Sequence, residues 1–268
     1  MPTTALRTVL VTGANKGIGR AICEKIIAEG PDDVAVLLGS RDLERGKQAA
    51  AGMNPDRVTV LELDVKSEES VAAAALAVKG MNCDLIGIVN NAGIGFGNTI
   101  AETLDVNFWG TKRVCDHFMP LLSDGGRVCN IASASGPNFV AKLSPADQAF
   151  WVGSTTWEQL EARIKVVTPQ TDYDNTAYGL SKACVNLYTK QLAAKHSTVV
   201  INSCTPGWIA TDLTAGMGAT NPPEKGALAP MKLLFGDLGA AHGWYFGSDG
   251  LRSPLDRYRN PGDPEYTE

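Results

Sequence analysis

Residues 12–19 read TGANKGIG, directly after an apolar run (Val9, Leu10, Val11) and at the start of a helical pattern near Ile18. A strand that ends in a glycine-rich turn and passes straight into a helix presents free backbone N–H groups and the positive end of the helix dipole to an anion. Glycine permits the tight turn and the close approach of a pyrophosphate. The spacing through Gly13, Gly17 and Gly19 is G-x-x-x-G-x-G rather than G-x-G-x-x-G. On this stretch alone two readings stand, an ordinary turn and a nucleotide cradle.

The chain around it alternates. Apolar runs predict strands at 7–13, 34–39, 57–63, 84–90, 126–132, 198–203 and 243–247, and helical patterns fall at 18–29, 43–52, 67–79, 99–121, 176–195 and 224–235. The strands are continuous apolar runs such as VAVLL and LIGIV, as burial on both faces of a parallel sheet requires. The expected fold is α/β, a Rossmann-like doubly wound parallel sheet with helices on both faces. At 268 residues and 44% hydrophobic, one domain spanning 1–268 suffices. The stretch 136–175 interrupts the alternation: Ser144-Pro145 reads as a helix start, and Thr155-Thr156-Trp157-Glu158 as a capping box, so two short helices are expected there. From 251 to 268 the chain is proline-rich and polar and reads as an irregular tail.

Net charge is −5 with acids and bases intermixed, which disfavours a broad face for nucleic acid or anionic lipid. The start of the chain lacks a signal-peptide pattern and no apolar stretch is long enough to span a bilayer, so a cytoplasmic protein without a membrane partner is expected. Six scattered cysteines and three histidines have no metal-ligand spacing, which predicts reduced thiols and no metal site.

TGANKGIG, Asp64-Val65 after the third strand, NNAG at 90–93, Asn107 in VNFWGT, Ser133 in CNIASASG, Tyr178 and Lys182 in AYGLSK, and PGWIATD at 206–212 together resemble the short-chain dehydrogenases/reductases over about residues 7–247. NKGIG, SRDLERG, NNAGIGF and CTPGW are similar to the carbonyl reductase branch. The resemblance implies a seven-stranded sheet in the order 3-2-1-4-5-6-7. It makes Tyr178 the general acid of carbonyl reduction, Lys182 a holder of the nicotinamide ribose, Ser133 the partner of the substrate carbonyl, and Asn107 the support of a water that relays protons to the lysine. Ser135 is the rival of Ser133. The tyrosine and lysine stand four apart on one helical face, so a lysine ammonium within reach of the phenol is expected to lower its pKa.

The same likeness places Gly13, Asn15, Lys16, Gly17, Ile18 and Gly19 at the cofactor phosphates, Asp64 and Val65 at the adenine, and Asn90, Ala92 and Gly93 along the cleft. Pro206, Gly207, Ile209 and Thr211 fall beside the nicotinamide, and Trp208 on the substrate. Charge argues the cofactor choice: the second strand ends in Ser40-Arg41 with no acid to repel a 2′-phosphate, and Arg41 with Lys16 supplies cations, so NADPH is expected. Trp151 and Trp157 are read as packing anchors in the 136–175 insertion, whose apolar residues could cover the face through which relatives dimerise, giving a monomer. Two other functions remain open: an alcohol dehydrogenase working in the oxidative direction, and a nucleotide sensor without turnover.

Overall fold

A computed structural model describes residues 6–81, 83–170 and 176–268. Seven strands form one all-parallel sheet: β1 (Leu6–Val11), β2 (Val34–Ser40), β3 (Val58–Glu62), β4 (Cys83–Asn90), β5 (Arg127–Ile131), β6 (Val200–Cys204) and β7 (Tyr245–Phe246), in the order β3-β2-β1-β4-β5-β6-β7. The period of two along each strand divides the side chains between two cores. Val9, Val11, Val36 and Leu38 face one, with α1 (Gly17–Glu29) and α11 (Leu228–Phe235); Leu10 and Leu37 face the other, with α3 (Glu68–Lys79), α5 (Gly110–Phe118) and α9 (Thr176–Lys195). The doubly wound expectation is therefore met.

Local chemistry sets the helix starts. Asp42 caps α2 (Leu43–Ala50) by accepting from the Arg45 amide, and Ser67 caps α3 from the Ser70 amide. The helix expected over 99–121 is composite: α4 (Ile100–Leu104), a π-helical turn over Asp105–Trp109, α5, and a 3₁₀ turn over Met119–Leu121. The pattern at 224–235 likewise divides into α10 (Pro223–Gly226) and α11.

Among its described residues the insertion holds three helices rather than two: α6 (Ser135–Val140), α7 (Pro145–Val152) and α8 (Trp157–Val167). The first, SGPNFV, is too short to show a period, and its proline lies in the opening turn where it costs little. Ser144 and Pro145 open α7 as expected, but the capping box of α8 is Thr156 with Gln159, one residue later than expected; the Thr155 hydroxyl donates instead to the Phe150 carbonyl. The insertion's predicted end, residues 171–175, lies outside the described residues.

Both tryptophans pack as expected. Trp151 is buried against Phe139 and Phe150. Trp157 meets Phe108, Trp109 and Tyr188 with ring centroids 5.9–6.2 Å apart, so α8 lies over the outer faces of the π turn and α9. Lys190 of α9 secures the end of α7 by donating to the Val152 and Gly153 carbonyls at 2.6 and 3.0 Å. Among the described residues no helix is long and apolar enough to cross a membrane, and no group of three or more metal-ligating side chains occurs.

Candidate active site

A cleft of about 830 Å³ opens at the carboxyl ends of the strands, spanning the point between β1 and β4 where the strand order reverses. Its floor is the glycine turn. Gly13 has φ +61° and Gly17 φ +56°, conformations that L side chains rarely adopt. A Cβ on Gly13 would stand 2.8 Å from the Ala92 Cα, and one on Gly19 would stand 2.6 Å from the Gly13 carbonyl oxygen. The first and third glycines thus serve close packing of the chain on itself, whereas a Cβ on Gly17 would meet nothing nearer than Thr211 at 3.4 Å. Lys16, the N-cap of α1, makes no side-chain cap, which leaves the first-turn amides of a thirteen-residue helix free to receive an anion. These features fit a dinucleotide phosphate.

The turn is held to β4 by Thr12 and Asn91. The Thr12 hydroxyl accepts from the amides of Asn91 and Ala92 at 3.0 Å, and the Asn91 side chain donates to the Thr12 carbonyl at 2.9 Å. Asn91 lines the cleft, but Asn90 does not. Asn90 points into the sheet and donates to the Asn130 side chain at 2.8 Å. Of the two asparagines of NNAG, the structure places Asn91 rather than the expected Asn90 on the cleft, because alternation along β4 turns the first one inward. The doubled residue was the available signal.

Asn15, Ile18, Ala92 and Gly93 line the cleft, as do Asp64 and Val65, whose turn is fixed by the Lys66 amide donating to the Asp64 carboxylate at 3.0 Å. Pro206, Gly207, Trp208, Ile209 and Thr211 form its β6 side. Arg41 lies exposed at the β2 end, and Arg45, one turn along α2, joins it there. Lys16, expected beside Arg41, instead pairs with Asp212 at 2.6 Å. Lys16 still lines the cleft, and Arg45, itself 3.4 Å from the Asp42 carboxylate, is a further cation at this end, which the spacing R-D-L-E-R could have shown.

Four side chains expected to do chemistry converge at the centre. Ser133, just beyond β5, lines the cleft beside Tyr178, close enough to favour the ionised phenol, and its hydroxyl accepts from the Ser135 amide at 3.1 Å. Ser135 lines the cleft as well, but it opens α6, and Ser133 is the serine that acts on the Tyr178 phenol. Phe96 covers the tyrosine ring at a centroid distance of 4.9 Å. Lys182 is buried, 5.6 Å from the Tyr178 ring centroid, and donates to the Ile131 carbonyl at 2.8 Å. Asn107 lies behind them in the π turn: its oxygen accepts from the Ile94 amide at 2.8 Å and its nitrogen donates to the Ile94 carbonyl and the Ser181 hydroxyl, both at 3.0 Å.

The electrostatics differ from expectation. Burial pushes the Tyr178 phenol up to about 12, against a smaller lowering by Ser133. Burial also brings Lys182 down to about 8. The ammonium does not lower the phenol in this geometry, because desolvation outweighs attraction and the amine is directed at a main-chain carbonyl. A phenol held protonated is a donor, suited to giving a proton to an oxyanion rather than taking one.

Residues 7–145 match the short chain dehydrogenase family. The chain is 33% identical over 272 residues to "Carbonyl reductase [NADPH] 1" of Homo sapiens, covering 90% of this chain and 96% of that protein. Its Mus musculus counterpart is 34% identical, with 88% and 94% covered. Among solved structures, salutaridine reductase from Papaver somniferum superposes with a TM-score of 0.79 at 26% identity, covering 89% of this chain and 99% of that one.

Proposed function

Because the chain belongs to the short-chain dehydrogenases, oxidoreductases that use a nicotinamide cofactor on small-molecule substrates, we propose that it is an NADPH-dependent carbonyl reductase. The observation that carries this reading is the convergence of Ser133, Tyr178 and Lys182 in a cleft whose β2 end presents Arg41 and Arg45. Bound NADPH would supply the hydride for the carbonyl carbon. Ser133 and Tyr178 hold the carbonyl oxygen between two hydroxyl donors, so that charge developing there meets fixed dipoles. Tyr178 passes its proton to that oxygen, and the product is an alcohol. Lys182 would hold the nicotinamide ribose. Asn107 braces the Ile94 loop against α9, keeping Gly93 between its own oxygen and the Lys182 amine; a proton relay to the lysine along this side remains part of the proposal. Arg41 and Arg45 receive the 2′-phosphate, the first-turn amides of α1 the pyrophosphate, and Trp208 flanks the substrate.

A panel of aldehydes, aryl ketones, quinones and steroid ketones, incubated with NADPH and followed by loss of the reduced nicotinamide absorbance, tests the reading. Turnover of at least one class, faster with NADPH than with NADH, is expected; oxidation of alcohols with NAD⁺ as the dominant activity would replace it with the dehydrogenase alternative.

A further inference from the structure

The tail after β7 carries no regular element, yet it is tightly bonded and reaches the cleft. The chain turns at Gly247–Gly250 and runs back along β7, with the Ser253 amide donating to the Tyr245 carbonyl at 2.8 Å and the Arg252 guanidinium stacked 4.1 Å from the Trp244 ring centroid. It then enters the cleft wall with Arg257, Tyr258, Arg259 and Pro261. Arg259 is 8% exposed and its guanidinium is fully engaged: it pairs with the Asp249 carboxylate and donates to Ser253 Oγ at 3.0 Å and to the Asn260 and Asp263 carbonyls at 3.1 and 2.8 Å. Asp249 also accepts from the Gly262 and Leu251 amides at 3.1 and 3.2 Å. One ion pair, buried on its Arg259 side, thus ties both ends of the segment together.

Sheet order says which end of the cleft this wall closes. The tail leaves β7, at the opposite edge from the β2 lip that holds Arg41. Ser248 stands against Gly207, beside Trp208, and Arg259 against Gly247. The tail therefore walls the substrate end. Tyr258 and Trp208 are each 45% exposed and line the same cleft as Phe96, the ring on Tyr178. The one cation this exposed part of the tail brings to the cleft, Arg257, is paired with Asp256 at 3.1 Å.

We propose that the Asp249–Arg259 ion pair is a positioning device for substrate selection, fixing the tail so that Tyr258 joins Phe96 and Trp208 in an aromatic enclosure that favours flat ring carbonyls, aryl ketones and quinones, over bulky ones. Removing the Asp249 carboxylate leaves the buried Arg259 guanidinium uncompensated and releases what it held, while aromatic faces favour flat partners. This rests on the carbonyl reductase reading.

The test compares the full-length protein with Asp249→Asn, Asp249→Glu and Tyr258→Ala on an aryl ketone and a steroid ketone, measuring kcat and KM separately and NADPH affinity by nicotinamide fluorescence. Asp249→Asn and Tyr258→Ala should each raise KM for the aryl ketone by roughly three- to tenfold, the loss of one aromatic contact, with smaller change in kcat, and shift selectivity toward the steroid. Asp249→Glu should keep the wild-type ratio and NADPH affinity should be unchanged throughout. Equal selectivity in all four proteins overturns the proposal, as does a glutamate variant that behaves like the asparagine one. Should Asp249→Asn not fold, Tyr258→Ala at the exposed position decides. Should the wild type reduce no carbonyl, the functional reading fails on its own, and calorimetric binding of the two ketones to protein saturated with NADP⁺ still reads the wall.

Discussion

Lys182 pays for its burial in a way that a pH profile can read. Its amine is depressed to about 8 from an ordinary 10.5, because desolvation penalises the ammonium. Between those values the native state binds fewer protons than the unfolded chain, so this group's effect on stability is favourable as pH rises. Its effect on the proposed function runs the other way, because a neutral amine would hold the ribose less well. The value of kcat/KM for NADPH, which reports the free enzyme, should therefore fall above about pH 8 while thermal stability does not fall with it over the next unit; a profile flat to pH 10 would contradict the assignment. Arg41 and Arg45 can be weighed in the same way. Replacing either with alanine should raise KM for NADPH by roughly tenfold, since a charge-assisted hydrogen bond is worth about 1.5–3 kcal/mol, with NADH kinetics little changed. Equal losses with both cofactors would show that the pair does not read the 2′-phosphate.

At the scale of elements, the strands and long helices were legible because their signals are local: apolar runs for the buried strands, Ser67 and Asp42 for two helix starts. What escaped was set by contacts between distant segments. Asn90 and Asn91 are chemically identical, and only the direction of β4 decides which one faces the cleft. Lys16 stands next to Gly17 in the chain, yet its partner is Asp212, nearly two hundred residues on. The π turn holding Asn107 is an insertion into a helical pattern that periodicity alone reads as continuous. The insertion offers its own test. Trp151 is buried between Phe139 and Phe150, so Trp151→Ala should cost roughly 3–5 kcal/mol and lower Tm by about 10 °C, seen by calorimetry. A loss under about 1 kcal/mol would mean that α7 is not anchored by this ring.

At the scale of the whole molecule, α8 lays Trp157 and its neighbours over the outer faces of the π turn and α9. Apolar surface already covered within one chain gives no drive to associate, at about 25 cal/mol per Å², so the protein should elute as a monomer. Light scattering should give a mass near 28.3 kDa; twice that mass would show that the face is shared between copies. The cleft thus runs from Arg41 at the β2 end to the tail wall beyond β7, with Ser133 and Tyr178 lining it between them. The most direct measurement of that arrangement is turnover by Tyr178→Phe, with NADPH and a carbonyl accepted by the wild type, beside cofactor affinity from fluorescence titration. Loss of the acid should lower kcat by about a hundredfold or more with NADPH affinity nearly unchanged, because the ring still packs under Phe96. Retention of a substantial fraction of wild-type kcat would contradict the account.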